Sequence, residues 1–177
     1  MNGMGADDPF GDDGAGLVDL VIEDDRWLDA DLQALAIRAA RVVSEWMELP
    51  DLQVVVLGCD DPRIADLNRQ FRGRAVPTNV LSWPFHDFAS RPAGDDPEAP
   101  PSPELGDVAI SYDTCAREAE QQGKPFADHV THLLVHAVLH LAGYDHIDDS
   151  DARTMENAER EILHRLDIPD PYAEYER

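Results

Sequence analysis

The stretch from Phe126 to His146 constrains the fold more tightly than any other part of this chain. Phe126 to Leu141 is apolar and long enough for a helix largely buried on its apolar side. His136 and His140 lie four positions apart in it, a spacing that sets two imidazoles on one helix face about one turn apart. Gly143 can take a positive φ without Cβ strain, so it can end the helix. The chain can then turn back and carry His146 toward the first two histidines. Three neutral imidazoles with a fourth position open form the ligand set of a catalytic rather than a structural zinc site. The segment therefore predicts a rigid helical platform for one zinc ion per chain and, with it, a zinc-dependent hydrolase.

The spacing agrees with H-E-x-x-H-x-x-G-x-x-H, the signature of metzincin proteases, at every His and at the Gly. It departs at the Glu, whose position Ala137 occupies. A methyl group cannot take a proton from an attacking water. That argues against peptide hydrolysis and leaves open a substrate with a better leaving group or its own charge, such as a phosphodiester. His129 and His132 extend the histidine stripe, and His132 with His136 repeats the same spacing. Only the His136/His140 pair accounts for the Gly turn and His146. His132 is accordingly read as a flanking residue, and His86 and His164 as unrelated to the metal.

A chain of 177 residues suits one domain with a real core. No apolar run is long enough to span a membrane, and the opening residues lack the basic-then-apolar pattern of a secretory signal. Two cysteines, Cys59 and Cys115, are too few for a disulfide framework. A reduced cytoplasmic protein is the expectation. The net charge of −23 opposes long-range attraction to nucleic acid, but the charge is uneven. Asp7, Asp8, Asp12 and Asp13 sit in a Gly-rich opening segment, and more acid lies between Arg91 and Glu104. From Arg63 to His86 the balance reverses: Arg63, Arg69, Arg72 and Arg74 face a lone Asp66. This stretch is either a solvated helix face or an anion-binding lip on an acidic body.

Along the chain, strands are expected at Leu17–Ile22, Leu52–Leu57, Val80–Phe85 and Leu105–Ser111. Helices are expected from Asp29 to Trp46, from Asp60 or Asp61 through Phe71 with Pro62 in the first turn, and from Thr114 to Gln121. Two more run from Phe126 to Leu141 and, capped by Asp148, Asp149 or Ser150, to about Leu166. The order predicts an α/β (α+β) single domain with a mixed central sheet of about four strands, helices packed against it and the metal-binding helix near the C-terminus. Residues 1–16 are expected as a disordered acidic tail, 17–168 as the domain with 86–104 as a surface loop, and 169–177 as a C-terminal tail, with Pro169 and Pro171 ending ordered structure.

Four blocks in order resemble the YbeY endoribonucleases, or rRNA maturation factors. The first to note is Leu139-His140-Leu141-Ala142-Gly143-Tyr144-Asp145-His146. Leu67-Asn68-Arg69-Gln70-Phe71-Arg72 with Pro77-Thr78-Asn79-Val80-Leu81-Ser82-Trp83-Pro84-Phe85 is similar to the family's central block. Leu105-Gly106-Asp107-Val108-Ala109-Ile110-Ser111 is similar to its next strand, and Met155, Glu159, Ile162 and Leu163 fit its final helix. The resemblance implies a single zinc on His136, His140 and His146. It implies cleavage of single-stranded RNA in 16S rRNA 3′-end maturation and ribosome quality control, with small-subunit rRNA and the small ribosomal subunit as partners. It places the family's functional arginine at Arg72. Ala137 stands where the family usually has Gly, and Trp83 where it usually has Phe; neither removes a ligand.

A guanidinium at Arg72 matches the equatorial oxygens of a phosphodiester transition state with two parallel donors. RNA also brings its own nucleophile, the 2′-hydroxyl, which makes the missing Glu less of a loss. Asp145 is a candidate to orient a ligand or shuttle a proton, or else a turn residue bonded to its own backbone. Arg69, Arg74 and Asn79 are candidate substrate contacts. Asn79, Thr78 and Ser82 either bind nucleotide or close a strand end, the second role fitting Ser82 better. Two rival readings stand beside this one. One is a metalloprotease. The other is a non-catalytic, zinc-stabilised ribosome-assembly factor, whose structural site would close with a sulfur from Cys59 or Cys115.

Overall fold

The computed structural model describes residues 17–50 and 52–173. The acidic segment 1–16 and residues 174–177 lie outside the described residues. Four strands, β1 (Val18–Ile22), β2 (Gln53–Cys59), β3 (Val80–Pro84) and β4 (Glu104–Ser111), form one sheet in the order β1-β2-β4-β3. The first two and β4 run parallel, and β3 is antiparallel to β4. The helices are α1 (Arg26–Asp29), α2 (Leu32–Met47), α3 (Asp61–Arg72), α4 (Tyr112–Gln122), α5 (Phe126–Leu141) and α6 (Asp149–Arg165). The mixed α/β sheet expected from the element order is the one found.

The helix expected from Asp29 to Trp46 is α2, which starts after Asp31, and a short α1 precedes it. Asp31 takes a left-handed φ of 54° and its carboxylate accepts from the Ala34 N–H at 3.3 Å, which starts α2 afresh. The short α1 before it swings Trp27 into the core, where its Nε1 donates to the Cys59 carbonyl at 3.0 Å. Local chemistry sets the other ends as read from sequence. Asp60 caps α3 through the Arg63 N–H, Asp148 caps α6 through the Ser150 N–H, and Gly73 ends α3 at φ 71°.

Strand alternation divides the core. Val54, Val56, Val108 and Ile110 face α2, α5 and α6 in the main core. Leu81 and Ala109 pair in register on the other face, where Ile64 and Leu67 of α3 cover them. The α5 helix lies across the first face with ten buried residues, Ala137 fully buried among them. Ser82 pairs with Val108 and therefore points to the α5 side of the sheet. That single parity relation brings β3 to the histidine helix.

Gly143 follows α5 with φ 107°, as the turn required. A Cβ there would also lie 2.8 Å from the Phe88 ring and 2.9 Å from Pro97. The segment 86–104 has almost no regular structure, but it is pinned. Arg91 donates to the Gly143 carbonyl at 3.1 Å, Gly94 N–H to Asp151 at 2.8 Å, and Thr154 to the Gly94 carbonyl at 2.7 Å. It thereby braces the turn that carries His146. Order does not stop at Pro169 and Pro171 as expected. Tyr172, beyond both prolines, bonds Glu159 through its hydroxyl at 2.9 Å and meets the His132 ring edge to face. No helix among the described residues is long and apolar enough to cross a membrane.

Candidate active site

The C-terminal half of α5 and the turn after it bring His136, His140 and His146 to one cavity of about 510 Å³. The His136 and His146 rings stand 5.4 Å apart, centre to centre. No three His, Cys, Asp or Glu side chains among the described residues stand in metal-holding geometry. The three imidazoles share a cavity rather than a closed cage.

Two of the rings are held from behind. Ser82 Oγ lies 2.6 Å from His140 Nδ1. His136 Nδ1 lies 3.1 Å from Glu159 Oε1. Each contact occupies Nδ1 and leaves Nε2 for another partner, the pattern that fixes tautomer and direction in metal-binding histidines. Burial, with the His136 and His146 rings and the Arg72 guanidinium close by, pushes the His140 imidazole down to about 4. It is neutral near pH 7, the state a ligand needs. The donor set therefore fits a divalent ion that accepts nitrogen.

Glu159 is the residue that sequence reading undervalued. Its side chain is fully buried on α6 and takes His132 Nε2 at 2.9 Å beside His136. Burial pushes its carboxyl up, but the hydrogen bonds from His132 and His136 lead the effects that outweigh burial and hold it at about 2. The signal was legible: α6 buries Met155, Ala158, Glu159, Ile162 and Leu163. A Glu on an otherwise apolar stripe needs a polar partner across the interface. Ser82 is a correction of a different kind. Its hydroxyl orients His140 instead of closing a strand end.

The remaining candidates separate. Arg72 lines the cavity at the last turn of α3, and its charge reaches His140. Arg69 does not line it; it is exposed and paired with Asp66 at 2.6 Å. Arg74, beyond the Gly73 turn, is exposed and also away from the cavity. Asn79 lines it, with its amide committed to Glu118 at 3.0 Å and its carbonyl oxygen to the Val80 N–H at 2.6 Å. Asp145 lines it too, and its carboxylate accepts from the Ile147 N–H at 3.4 Å, a turn contact. His132 lines the cavity beside the trio, whereas His86, bonded to Ser102, and His164 do not. Cys59 and Cys115 are free, buried and absent from the cavity wall. Burial pushes the Cys59 thiol up to about 12.

A family profile described as Endoribonuclease YbeY matches residues 21–167. The chain belongs to the YbeY family. It is 70% identical over 159 residues to Endoribonuclease YbeY of Paracoccus denitrificans (strain Pd 1222), covering 90% of this chain and 91% of that one. It is 54% identical over 164 residues to Endoribonuclease YbeY of Cereibacter sphaeroides, covering 88% and 98%. The fold is similar to the solution structure of TM1509 from Thermotoga maritima, with a TM-score of 0.54 at 22% identity over 88% of this chain and 98% of that one. The YbeY match spans the cavity wall from Arg72 to Ile147, takes in Glu159 behind it, and stops short of Tyr172.

Proposed function

We propose that this YbeY-family chain is an endoribonuclease that cuts single-stranded RNA with one zinc ion held by His136, His140 and His146. Its place is the cytoplasm, in 16S rRNA 3′-end maturation and ribosome quality control, with small-subunit rRNA and the small ribosomal subunit as partners. The observation that carries the metal reading is the pair of Nδ1 contacts, Ser82 to His140 and Glu159 to His136, on two imidazoles of one cavity. When bound, the ion supplies Lewis-acid polarisation of a phosphoryl oxygen and lowers the pKa of water. Arg72 sets a cationic group at the same cavity for the charge that gathers on the scissile phosphate. Among the described residues Arg72 has no ion pair to compete for it.

Two features speak against a protease. Ala137, at the general-base position, is fully buried in the core. Glu159, the carboxylate in hydrogen-bond contact with His136, is buried and committed to His132, His136 and Tyr172. Neither cysteine lines the cavity, which leaves a sulfur-closed structural site without its ligand.

Incubation with single-stranded RNA and, separately, with casein tests the reading. RNA should be cut in a reaction that chelator stops and zinc restores, with casein intact. Chelator-sensitive casein cleavage with RNA untouched would reverse the assignment. Ser82→Ala should leave RNA cleavage qualitatively intact but weaken zinc affinity about 10- to 100-fold, the usual effect of losing a group that orients a ligand. Competition against a chromophoric chelator measures it, and an unchanged affinity would show that the Ser82 contact does not serve the metal.

A further inference from the structure

The short segment after α6 reaches back over the cavity with a residue beyond the family match. The Tyr172 hydroxyl donates to Glu159 Oε2 at 2.9 Å. The other oxygen of that carboxylate, Oε1, faces both His132 Nε2 and His136 Nδ1. The two oxygens thus have separate duties, one toward the C-terminal segment and one toward the histidine helix. A buried carboxylate keeps its orientation only while each oxygen is satisfied, because an unmet buried acceptor turns to find a donor or water.

Tyr172 is itself held in place. Its backbone N–H donates to Asp170 Oδ1 at 2.8 Å. Asp170 pairs with Arg160 at 3.2 Å, and the Arg160 guanidinium lies over the Tyr172 ring, 5.3 Å from its centroid. Arg160 adjoins Glu159 on α6, so one turn of helix supplies both the acceptor and the clamp. The ring meets His132 edge to face at 5.7 Å.

We propose that Tyr172 is a positioning residue for the metal centre: by holding Glu159 Oε2 it keeps Oε1 on His136 Nδ1 and so keeps the opposite nitrogen of that ring aimed for the metal. This rests on the metal reading above. Tyr172 acts through Glu159 and His136, with no bond made to the substrate.

The test uses the full chain and Tyr172→Phe, which removes the hydroxyl and keeps the ring. Zinc affinity is measured by chelator competition, and the thermal midpoint is measured on metal-free protein. Tyr172→Phe should bind zinc about three- to tenfold more weakly, less than the 10- to 100-fold typical of a group touching the ligand directly. The metal-free midpoint should fall only modestly, by the loss of one hydrogen bond to a buried carboxylate, and the variant should still unfold cooperatively. In Glu159→Gln protein the added Tyr172→Phe change should have almost no further effect on affinity, because the two act in series. At saturating zinc, KM for RNA should stay at the wild-type value. Wild-type zinc affinity in Tyr172→Phe overturns the proposal. An equal further loss of zinc affinity when Tyr172→Phe is added to Glu159→Gln protein overturns it in favour of a general role in folding, and a raised KM with normal zinc affinity overturns it in favour of an RNA contact. Wild-type protein that takes up no zinc would sink the metal reading and Tyr172's role with it, and that failure shows before any variant is compared.

Discussion

His140→Ala is expected to yield a folded chain that no longer retains its metal. Alanine is the best helix former, and α5 is anchored by its other buried side chains, including Leu139 and Leu141 on either side of the substitution. The fold should therefore survive by circular dichroism. Elemental analysis should find about one metal per wild-type chain. Most of it should vanish in each of His136→Ala, His140→Ala and His146→Ala, since a site with three protein ligands cannot spare one. RNA cleavage should fall on the order of 10³-fold, as expected when several kcal/mol of Lewis-acid stabilisation is withdrawn. Imidazole also accepts nickel, copper and iron, so metal content is the decisive readout and its identity a second one. Unchanged metal in all three variants would remove these histidines from the site.

The second large effect concerns the rate at full metal loading. Arg72→Ala should lower cleavage by about 2–4 kcal/mol, roughly 30- to 900-fold, if its guanidinium meets transition-state charge as other such donors do. Zinc content and thermal midpoint should stay at wild-type values, because Arg72 is exposed at the end of α3 and has no ion pair among the described residues. Arg72→Lys should restore only part of the rate, since an ammonium cannot make the bidentate contact. Single-turnover cleavage at saturating RNA separates chemistry from binding. A wild-type rate there, with only affinity reduced, would make Arg72 an anchor for RNA and remove it from the chemical step.

The basic stretch shows how far a charge pattern reaches. Arg63, Arg69, Arg72 and Arg74 look alike in sequence, yet only Arg72 lines the cavity. Arg69 lies three residues from Asp66 on one helix face and is taken by it. Arg63 pairs with Glu23 and Asp66. Arg74 falls beyond the positive-φ turn at Gly73, so the helix no longer sets its direction.

What the sequence determined by itself was whatever depends on near neighbours along the chain. The apolar helix Phe126–Leu141, the positive-φ turn at Gly143, the caps at Asp60 and Asp148 and the alternation of β2 and β4 all follow from local sterics, capping and periodicity. They put His136 and His140 on one helix face and supply the turn that lets His146 come back toward them. Tertiary structure alone decided what stands behind those rings. Ser82 meets His140 across 58 residues of sequence and Glu159 meets His136 across 23. Both contacts are set by how β3 registers on β4 and how α6 packs on α5. Neither quantity is encoded in local periodicity: a strand's pattern names its buried face but not its neighbour, and a Glu on an apolar stripe announces a buried partner without saying which one. Tyr172 needed the same information, because two prolines mark the end of local structure while the long-range bond to Glu159 keeps the chain in place beyond them.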